Sequence, residues 1–303
     1  MNNQDLKEKI LQLKKKRNAI ILAHNYQIGE IQDLADFSGD SLKLSQQAAQ
    51  TDAEVIVFCG VHFMAETAAM LSPDKTVLLP DLNAGCPMAD MITAEQLRLE
   101  KKKNPGSPVV CYVNSTADVK AECDVCCTSS NSIKVVESLN NERPIIFVPD
   151  KYLGSYTATK TKKKLILWPG YCPTHMKISV DDIVNLKNQR PEAEILVHPE
   201  CRPEVIARAD YALSTDGIIK RTRQSSAREF VIGTETGILH RLRKENPGKT
   251  FLPASERAVC PNMKSITLEK VLWSLERMEF QVTVPSPIRD RAVGSVKRML
   301  ELA

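Results

Sequence analysis

The sequence predicts an α/β protein built from three homologous three-layer α/β/α lobes, with mainly parallel sheets, arranged around a pseudo-threefold axis. Three observations predict it. Short β-branched runs alternate with longer amphipathic stretches along the chain, which is the βαβ pattern. The runs recur at intervals of 85 to 90 residues. A Cys-Pro pair recurs once in each interval.

The elements follow in order. Near the N-terminus Leu6, Ile10 and Leu13 share one helical face, and Asp5 with Glu8 three residues on resembles a capping box. That helix docks on a lobe rather than on a membrane surface, because it lacks an aromatic anchor. Strands are expected at Ala19–Ala23, Glu54–Cys59 and Thr76–Leu79, then at Pro108–Val113, Pro144–Val148 and Lys164–Trp168. The third set is Glu194–His198, Glu229–Ile232 and Thr250–Leu252. Such near-continuous apolar runs suit parallel strands covered on both faces. Helical patterns include Thr93–Lys103, Ile133–Leu139, Ile183–Arg190, Leu268–Arg277 and Asp290–Leu302. A further short segment recurs as LADFSGDS ending at Ser41, CDVCCTSS ending at Ser130 and DYALSTDG ending at Gly217. NNER (140–143) and KTKKK (160–164) read as solvated surface turns. The period places lobes at 1–87, 88–173 and 174–261, followed by a C-terminal helical segment at 262–303. It is longer than solenoid periods, so discrete lobes are expected rather than a stacked array.

Composition narrows the function classes. A chain of 303 residues, 43% apolar and 26% charged, is ordinary for a globular protein and excludes general disorder. No apolar run approaches the roughly 18 residues needed to cross a bilayer. The opening MNNQDLKEKI has no apolar signal core, so a cytoplasmic protein with no membrane partner is expected. A net charge of +4, from 41 basic and 37 acidic residues, gives no reason to expect a nucleic-acid partner. Nine cysteines, an odd number, argue for a reducing compartment with some thiols as ligands and others as small buried apolar residues.

Three cysteines stand apart. Cys86, Cys172 and Cys260 each precede proline, at spacings of 86 and 88 residues. Each follows a strand that ends in proline (LLP, LWP and FLP), where parallel sheets place their ligands. Single thiolates so far apart do not make a zinc finger, which uses close pairs. Three of them suit a [4Fe–4S] cluster with one open iron; a packed trio of loop thiols without a ligand is the alternative. Cys123-x-x-Cys126-Cys127 is a competing metal motif, but its repeat mates are Ala35, Ser38, Ala209 and Ala212, so buried packing is the better reading there. Cys59, Cys111 and Cys201 read as packing residues as well.

Polar residues fall in the same register. The first strands end in His24-Asn25-Tyr26, Tyr112-Val113-Asn114 and His198-Pro199-Glu200. Imidazole, phenol and carboxylate gathered in one site cover a wide range of acid–base work. Ser41, Ser129 and Thr215 match each other near predicted helix starts, as N-caps or as an anion cup built from hydroxyls and free helix N–H groups. His175 and His240 have no mates and read as supporting or structural. Lys220, Arg221 and Arg223 read as a solvated helix face, with phosphate contact as the alternative. There is no Walker loop, GxGxxG or GxSxG, which disfavours ATP-driven, hydride-transfer and serine-hydrolase chemistry.

Read together, AHNYQ (23–27), GDS (39–41), GCPMA (85–89), CYVNS (111–115), CCTSSN (126–131), PDKYLG (149–154), LWPGYCPTH (167–175), VHPEC (197–201), STDGI (214–218), IGTETGILHRL (232–242) and CPNMK (260–264) resemble the quinolinate synthase family, in family order. The resemblance implies three homologous α/β lobes and one [4Fe–4S] cluster on Cys86, Cys172 and Cys260. It implies an enzyme of de novo NAD biosynthesis, a condensing transferase that turns iminosuccinate (iminoaspartate) and dihydroxyacetone phosphate into quinolinate, phosphate and two waters. His24, Ser41, Tyr112, Val113, Asn114, Ser129, His198, Pro199, Glu200 and Thr215 would hold substrate, and Tyr26, Glu200 and His198 would serve catalysis. An iminosuccinate-producing aspartate oxidase or dehydrogenase would be the functional neighbour. Two departures are noted: Asp216 stands where a smaller polar residue is expected, and Cys260-Pro-Asn-Met263 lacks the redox CxxC of some members. A different [4Fe–4S] hydro-lyase acting on a small hydroxy acid is the alternative reading, and a non-catalytic cluster-based sensor a more distant one.

Overall fold

The computed structural model describes residues 2–140 and 142–302. Asn141 of the NNER turn lies outside the described residues. The first lobe runs α1 (Asn3–Lys16), β1 (Ala19–His24), α2 (Gly29–Leu34), β2 (Phe37–Gly39), α3 (Ser41–Gln50), β3 (Val55–Cys59), α4 (His62–Leu71) and β4 (Thr76–Leu78). The second runs α5 (Ala94–Lys103), β5 (Val109–Tyr112), α6 (Ala117–Lys120), β6 (Val125–Cys127), α7 (Ser132–Glu137), β7 (Ile145–Val148), α8 (Lys151–Lys160) and β8 (Leu165–Leu167). The third runs α9 (Val180–Gln189), β9 (Glu194–Val197), α10 (Pro203–Ile206), β10 (Tyr211–Ala212), α11 (Thr215–Gln224), β11 (Glu229–Gly233), α12 (Ile238–Glu245) and β12 (Thr250–Pro253). Two helices close the chain, α13 (Leu268–Arg277) and α14 (Ser286–Glu301).

Each lobe carries a four-stranded parallel sheet of one order: β2-β1-β3-β4, β6-β5-β7-β8 and β10-β9-β11-β12. The nine strands expected from the sequence are present, with ends displaced by no more than one residue. The recurring short segment supplies the remaining strand of each sheet: β2, β6 and β10. One aspartate per lobe docks it. Asp36, Asp124 and Asp210 accept from the backbone N–H of Ile21, Val109 and Ile195 at 2.7–2.8 Å, and their own N–H groups donate back to the same residues.

The core lies on both faces of each sheet. In the third lobe Ile195, Val197 and Val231 belong to one apolar cluster, and Leu196, Phe230 and Ile232 to another. This is the period-2 alternation of a strand buried on both sides.

Helix starts depart further from the expectation than strands do, because a cap outside the apolar pattern decides them. Asn2, not Asp5, caps α1, with Asp5 as the reciprocal partner; the capping-box expectation for Asp5 and Glu8 is corrected accordingly. Ser179 with Asp182 starts α9 three residues before the expected Ile183. Helix α13 follows the Cys260 turn as α5 and α9 follow the turns of Cys86 and Cys172. It returns to the first lobe and packs on α1, whereas α14 packs on α6 and β6 of the second lobe.

Polar latches join the lobes. Arg241 Nη1 donates to Asn25 Oδ1 and to the Ser38 carbonyl, both at 2.8 Å. Gln32 Nε2 donates to the carbonyls of Asn25, Gln27 and Gly237. Lys43 pairs with Asp216 at 2.6 Å, which accounts for the acidic residue at 216. At Gly237 the third lobe comes so near that a Cβ would lie 2.6 Å from the Tyr26 carbonyl oxygen.

Replacing Arg241 with methionine keeps its aliphatic stem but removes charged donors from the junction of lobes one and three. The expected loss is about 2 kcal/mol, read as a thermal midpoint lowered by about 3 °C in scanning calorimetry.

Candidate active site

The carboxyl ends of the three sheets open onto one cavity. Its lining includes His24, Tyr26, Ser41, Cys86, Tyr112, Asn114, Ser129, Cys172, His198, Glu200, Thr215 and Cys260. Val113 and Pro199 do not line it. Val113 is buried in the apolar core, its N–H bonded to the Cys127 carbonyl, and Pro199 is a buried spacer between His198 and Glu200.

Local geometry aims these groups. His24 Nδ1 accepts the N–H of Tyr26, and His198 Nδ1 accepts the N–H of Glu200, both at 3.2 Å. With Nδ1 used as an acceptor, each neutral ring carries its proton on Nε2. His198 Nε2 thus donates to Ser129 Oγ at 3.0 Å. Asp40 and Ser214 cap α3 and α11, so Ser41 and Thr215 in the next position are not the caps. Ser130 Oγ bonds Asp40 Oδ2 at 2.8 Å and Ser214 Oγ at 2.9 Å, tying the three short segments together. Among the described residues the buried Asn114 Oδ1 has no hydrogen-bond partner.

Glu200 is the electrostatic centre. Tyr112 donates its hydroxyl proton to Oε1 at 2.5 Å, and His175 Nδ1 lies 2.7 Å from Oε2. Burial alone would raise this carboxyl, but the imidazoles of His175 and His198, with the Tyr112 hydroxyl, hold it below the usual carboxylate range. The neighbouring Asp150 goes the opposite way: burial, then the charge of Glu200, pushes it well above its usual value. Burial likewise pushes the phenols of Tyr26 and Tyr112 well above 10. The cavity therefore sets a carboxyl held low beside two phenols held high, a division of acid and base roles by environment, with Asp150 buried behind it at the start of α8.

The three Cys-Pro turns are alike. In each, the N–H four residues after the cysteine bonds the cysteine carbonyl: Asp90 to Cys86, Met176 to Cys172 and Lys264 to Cys260. A short 3₁₀ helix follows, at Ala89–Met91, His175–Lys177 and Met263–Ser265. Backbone N–H groups of those turns (Ala89 and Met88, His175, Met263 and Asn262) face the thiols. Asn262 Nδ2 donates to the Gly85 carbonyl at 2.7 Å, joining the first turn to the third. Burial pushes Cys86 up to about 12, Cys172 well above 9 and Cys260 upward; the charge of Cys260 also raises Cys86, and that of Cys86 raises Cys172. Thiols close enough to repel one another as anions, and supplied with N–H donors, fit a soft, positively charged metal group. The other thiols do not line the cavity: Cys59, Cys111, Cys126, Cys127 and Cys201 are buried within the lobes, and Cys123 bonds the Val119 carbonyl.

Several residues were not among those expected from the sequence to act in the site. His175, expected to be supporting or structural, lines the cavity, contacts Glu200, and stacks on His198 at 4.8 Å between centroids. Asp150 and Glu235 are fully buried; Glu235 Oε1 accepts the Cys260 N–H at 3.1 Å and pairs with Lys264 at 2.9 Å. His240 instead bonds the exposed Asp33 at 3.0 Å. Arg221 and Arg223 pair with Glu194 and Glu245, so the phosphate alternative for them is set aside.

Fold and site define a class: a three-lobed α/β enzyme in which an interlobe cavity joins three cysteines to buried acid–base groups. Comparison with known proteins agrees. The family model described as quinolinate synthetase A protein matches residues 8–301. The quinolinate synthase of Dehalococcoides mccartyi (strain CBDB1) is 60% identical over 302 residues, covering 100% of both chains. That of Desulforudis audaxviator is 56% identical over 301 residues, 99% of each, and that of Methanosarcina barkeri 55% over 300 residues, 99% of this chain and 98% of its own. The chain belongs to the quinolinate synthetase A family and is an enzyme. No helix among the described residues is long and apolar enough to cross a membrane.

A pH dependence follows from the two histidines. Burial, the largest influence, lowers both His24 and His198 from 6.5 to about 3. The unfolded chain protonates them near 6.5 and the folded chain does not. The stability they contribute is full above pH 6.5 and is lost as pH falls from there toward 3. Each imidazole should cost about 2 kcal/mol between pH 7 and pH 5. Thermal midpoints across that interval should fall less steeply in an H24N/H198N variant than in the wild type.

Proposed function

We propose that this enzyme condenses iminosuccinate with dihydroxyacetone phosphate to give quinolinate, phosphate and two waters, in NAD biosynthesis. The observation that carries the reading is the convergence of the three Cys-Pro turns and the three strand-end polar groups on one cavity. Cys86, Cys172 and Cys260 would hold a [4Fe–4S] cluster. When bound through three thiolates, such a cluster supplies one open iron as a Lewis acid for a substrate oxygen.

The chain's own residues do the rest. Ser41, Ser129, Thr215 and His24 donate hydrogen bonds to carboxylate and phosphate oxygens, helped by the N-termini of α3 and α11. Asn114 offers its unpartnered carbonyl oxygen to a substrate N–H or O–H. Glu200, ionised and buried, takes a proton from carbon or nitrogen of the bound substrate. Tyr26, which keeps its proton, donates to a developing oxyanion, while Tyr112 holds Glu200 in place through Oε1 and His198 Nε2 holds the Ser129 hydroxyl toward the substrate. Iminosuccinate is a two-electron oxidation product of aspartate, so an aspartate oxidase or dehydrogenase is the expected supplier. The cytoplasm is the proposed location.

Iron and sulfide analysis after anaerobic purification should find about four of each per chain, the stoichiometry of a cubane cluster. C86A, C172A and C260A should each lose cluster absorbance and turnover. A variant that keeps both removes that ligand from the proposal. E200Q should keep the cluster and lose turnover by roughly a hundredfold or more. Chromatography of products from the two substrates together separates this reaction from a hydro-lyase, which would dehydrate a hydroxy acid and form no pyridine ring.

A further inference from the structure

Thr234 is buried, 1% exposed, and lies one residue beyond β11. Its Oγ1 is 2.5 Å from the Tyr26 hydroxyl and 2.8 Å from His175 Nε2. His175 Nδ1 is in turn 2.7 Å from Glu200 Oε2, and Tyr112 closes the run on Oε1 at 2.5 Å. Thr234 is therefore the one link between the phenol of the first lobe and the carboxylate of the third along this run.

Donor accounting gives that link a consequence. A threonine hydroxyl has one hydrogen to give and can accept others. Tyr26 and His175 cannot both receive that hydrogen. Where the hydrogen goes to His175 Nε2, the Tyr26 hydroxyl donates to Thr234; where it goes to Tyr26, the phenol's own hydrogen is free for the substrate. In both arrangements the Tyr26 oxygen is held 2.5 Å from Thr234 Oγ1.

We propose that Thr234 is a positioning residue, whose hydroxyl holds the Tyr26 hydroxyl between His175 and the cavity and so sets the direction in which Tyr26 meets the substrate. The proposal rests on Tyr26 and Glu200 being the proton-transfer groups of the proposed reaction. Repeat arithmetic does not reveal it, since Gly60 and Pro149 occupy the equivalent places after β3 and β7 and bear no hydroxyl.

The test compares T234V, T234S and Y26F as anaerobically purified, cluster-loaded enzymes, normalised to iron content, with thermal midpoints recorded for each. Valine matches threonine in shape but removes the hydroxyl; serine keeps the hydroxyl and removes the methyl. T234V should lower kcat by about tenfold or more, with KM for both substrates within about threefold and cluster absorbance retained. T234S should recover kcat to within about threefold of wild type, the signature of a hydroxyl effect. Wild-type kcat in T234V overturns the proposal. So does a T234S variant as slow as T234V, since packing and not the hydroxyl would then matter. If T234V retains kcat while Y26F loses it, only the role of Thr234 falls. If Y26F keeps full turnover, the proton-transfer reading of Tyr26 falls with it.

Discussion

One buried carboxylate organises this molecule. Glu200 is 3% exposed and ionised, and a charge in such a place needs partners brought from elsewhere in the chain. Tyr112 comes from the end of the second sheet and His175 from the turn between the second and third lobes. Through Thr234 the same network reaches Tyr26 of the first lobe. The interlobe junction is therefore a stability requirement as well as a reaction site. A lobe displaced from its neighbours would separate the carboxylate, the imidazole and the phenol from one another.

The scaffold is triplicated but the site is not. Three sheets of one strand order deliver three equivalent strand ends and three equivalent cysteine turns to one centre. The side chains at equivalent places have diverged. His24 and His198 keep the same backbone-bonded ring geometry, while their mate is Tyr112. Glu200 shares its position with Tyr26 and Asn114. A symmetric frame thus presents three equivalent thiols while giving the cavity a carboxylate from one lobe, a phenol from another and an amide from the third.

Closure of the frame depends on polar latches and on the last helices. Arg241, Gln32 and the Lys43–Asp216 pair hold the third lobe to the first, and Asn262 ties the third cysteine turn to the first. Helix α13, the counterpart of α5 and α9, crosses back to α1 and completes the ring. The relative placement of the three thiols is then set by contacts distributed over much of the chain.

The sequence alone determined what local chemistry and a period can encode. The strands are legible because each is a short apolar run of β-branched residues. The three cysteines, and residues such as His24, Ser129 and Glu200, are legible because threefold repetition marks equivalent places. Helix starts were less so, since Asn2 or Ser179 acts from outside the apolar stripe. Only the tertiary structure decided the roles of His175, Thr234, Asp150 and Glu235. His175 and Thr234 have no matching side chains in the other lobes, and their partners lie far away along the chain, as Tyr26 does from Thr234; Asp150 and Glu235 match each other, two residues beyond β7 and β11, but Val61 stands in the first lobe. Burial supplies the other missing quantity: whether a carboxyl keeps or loses its proton depends on which charges surround it once water is gone, and that is fixed only when the lobes meet.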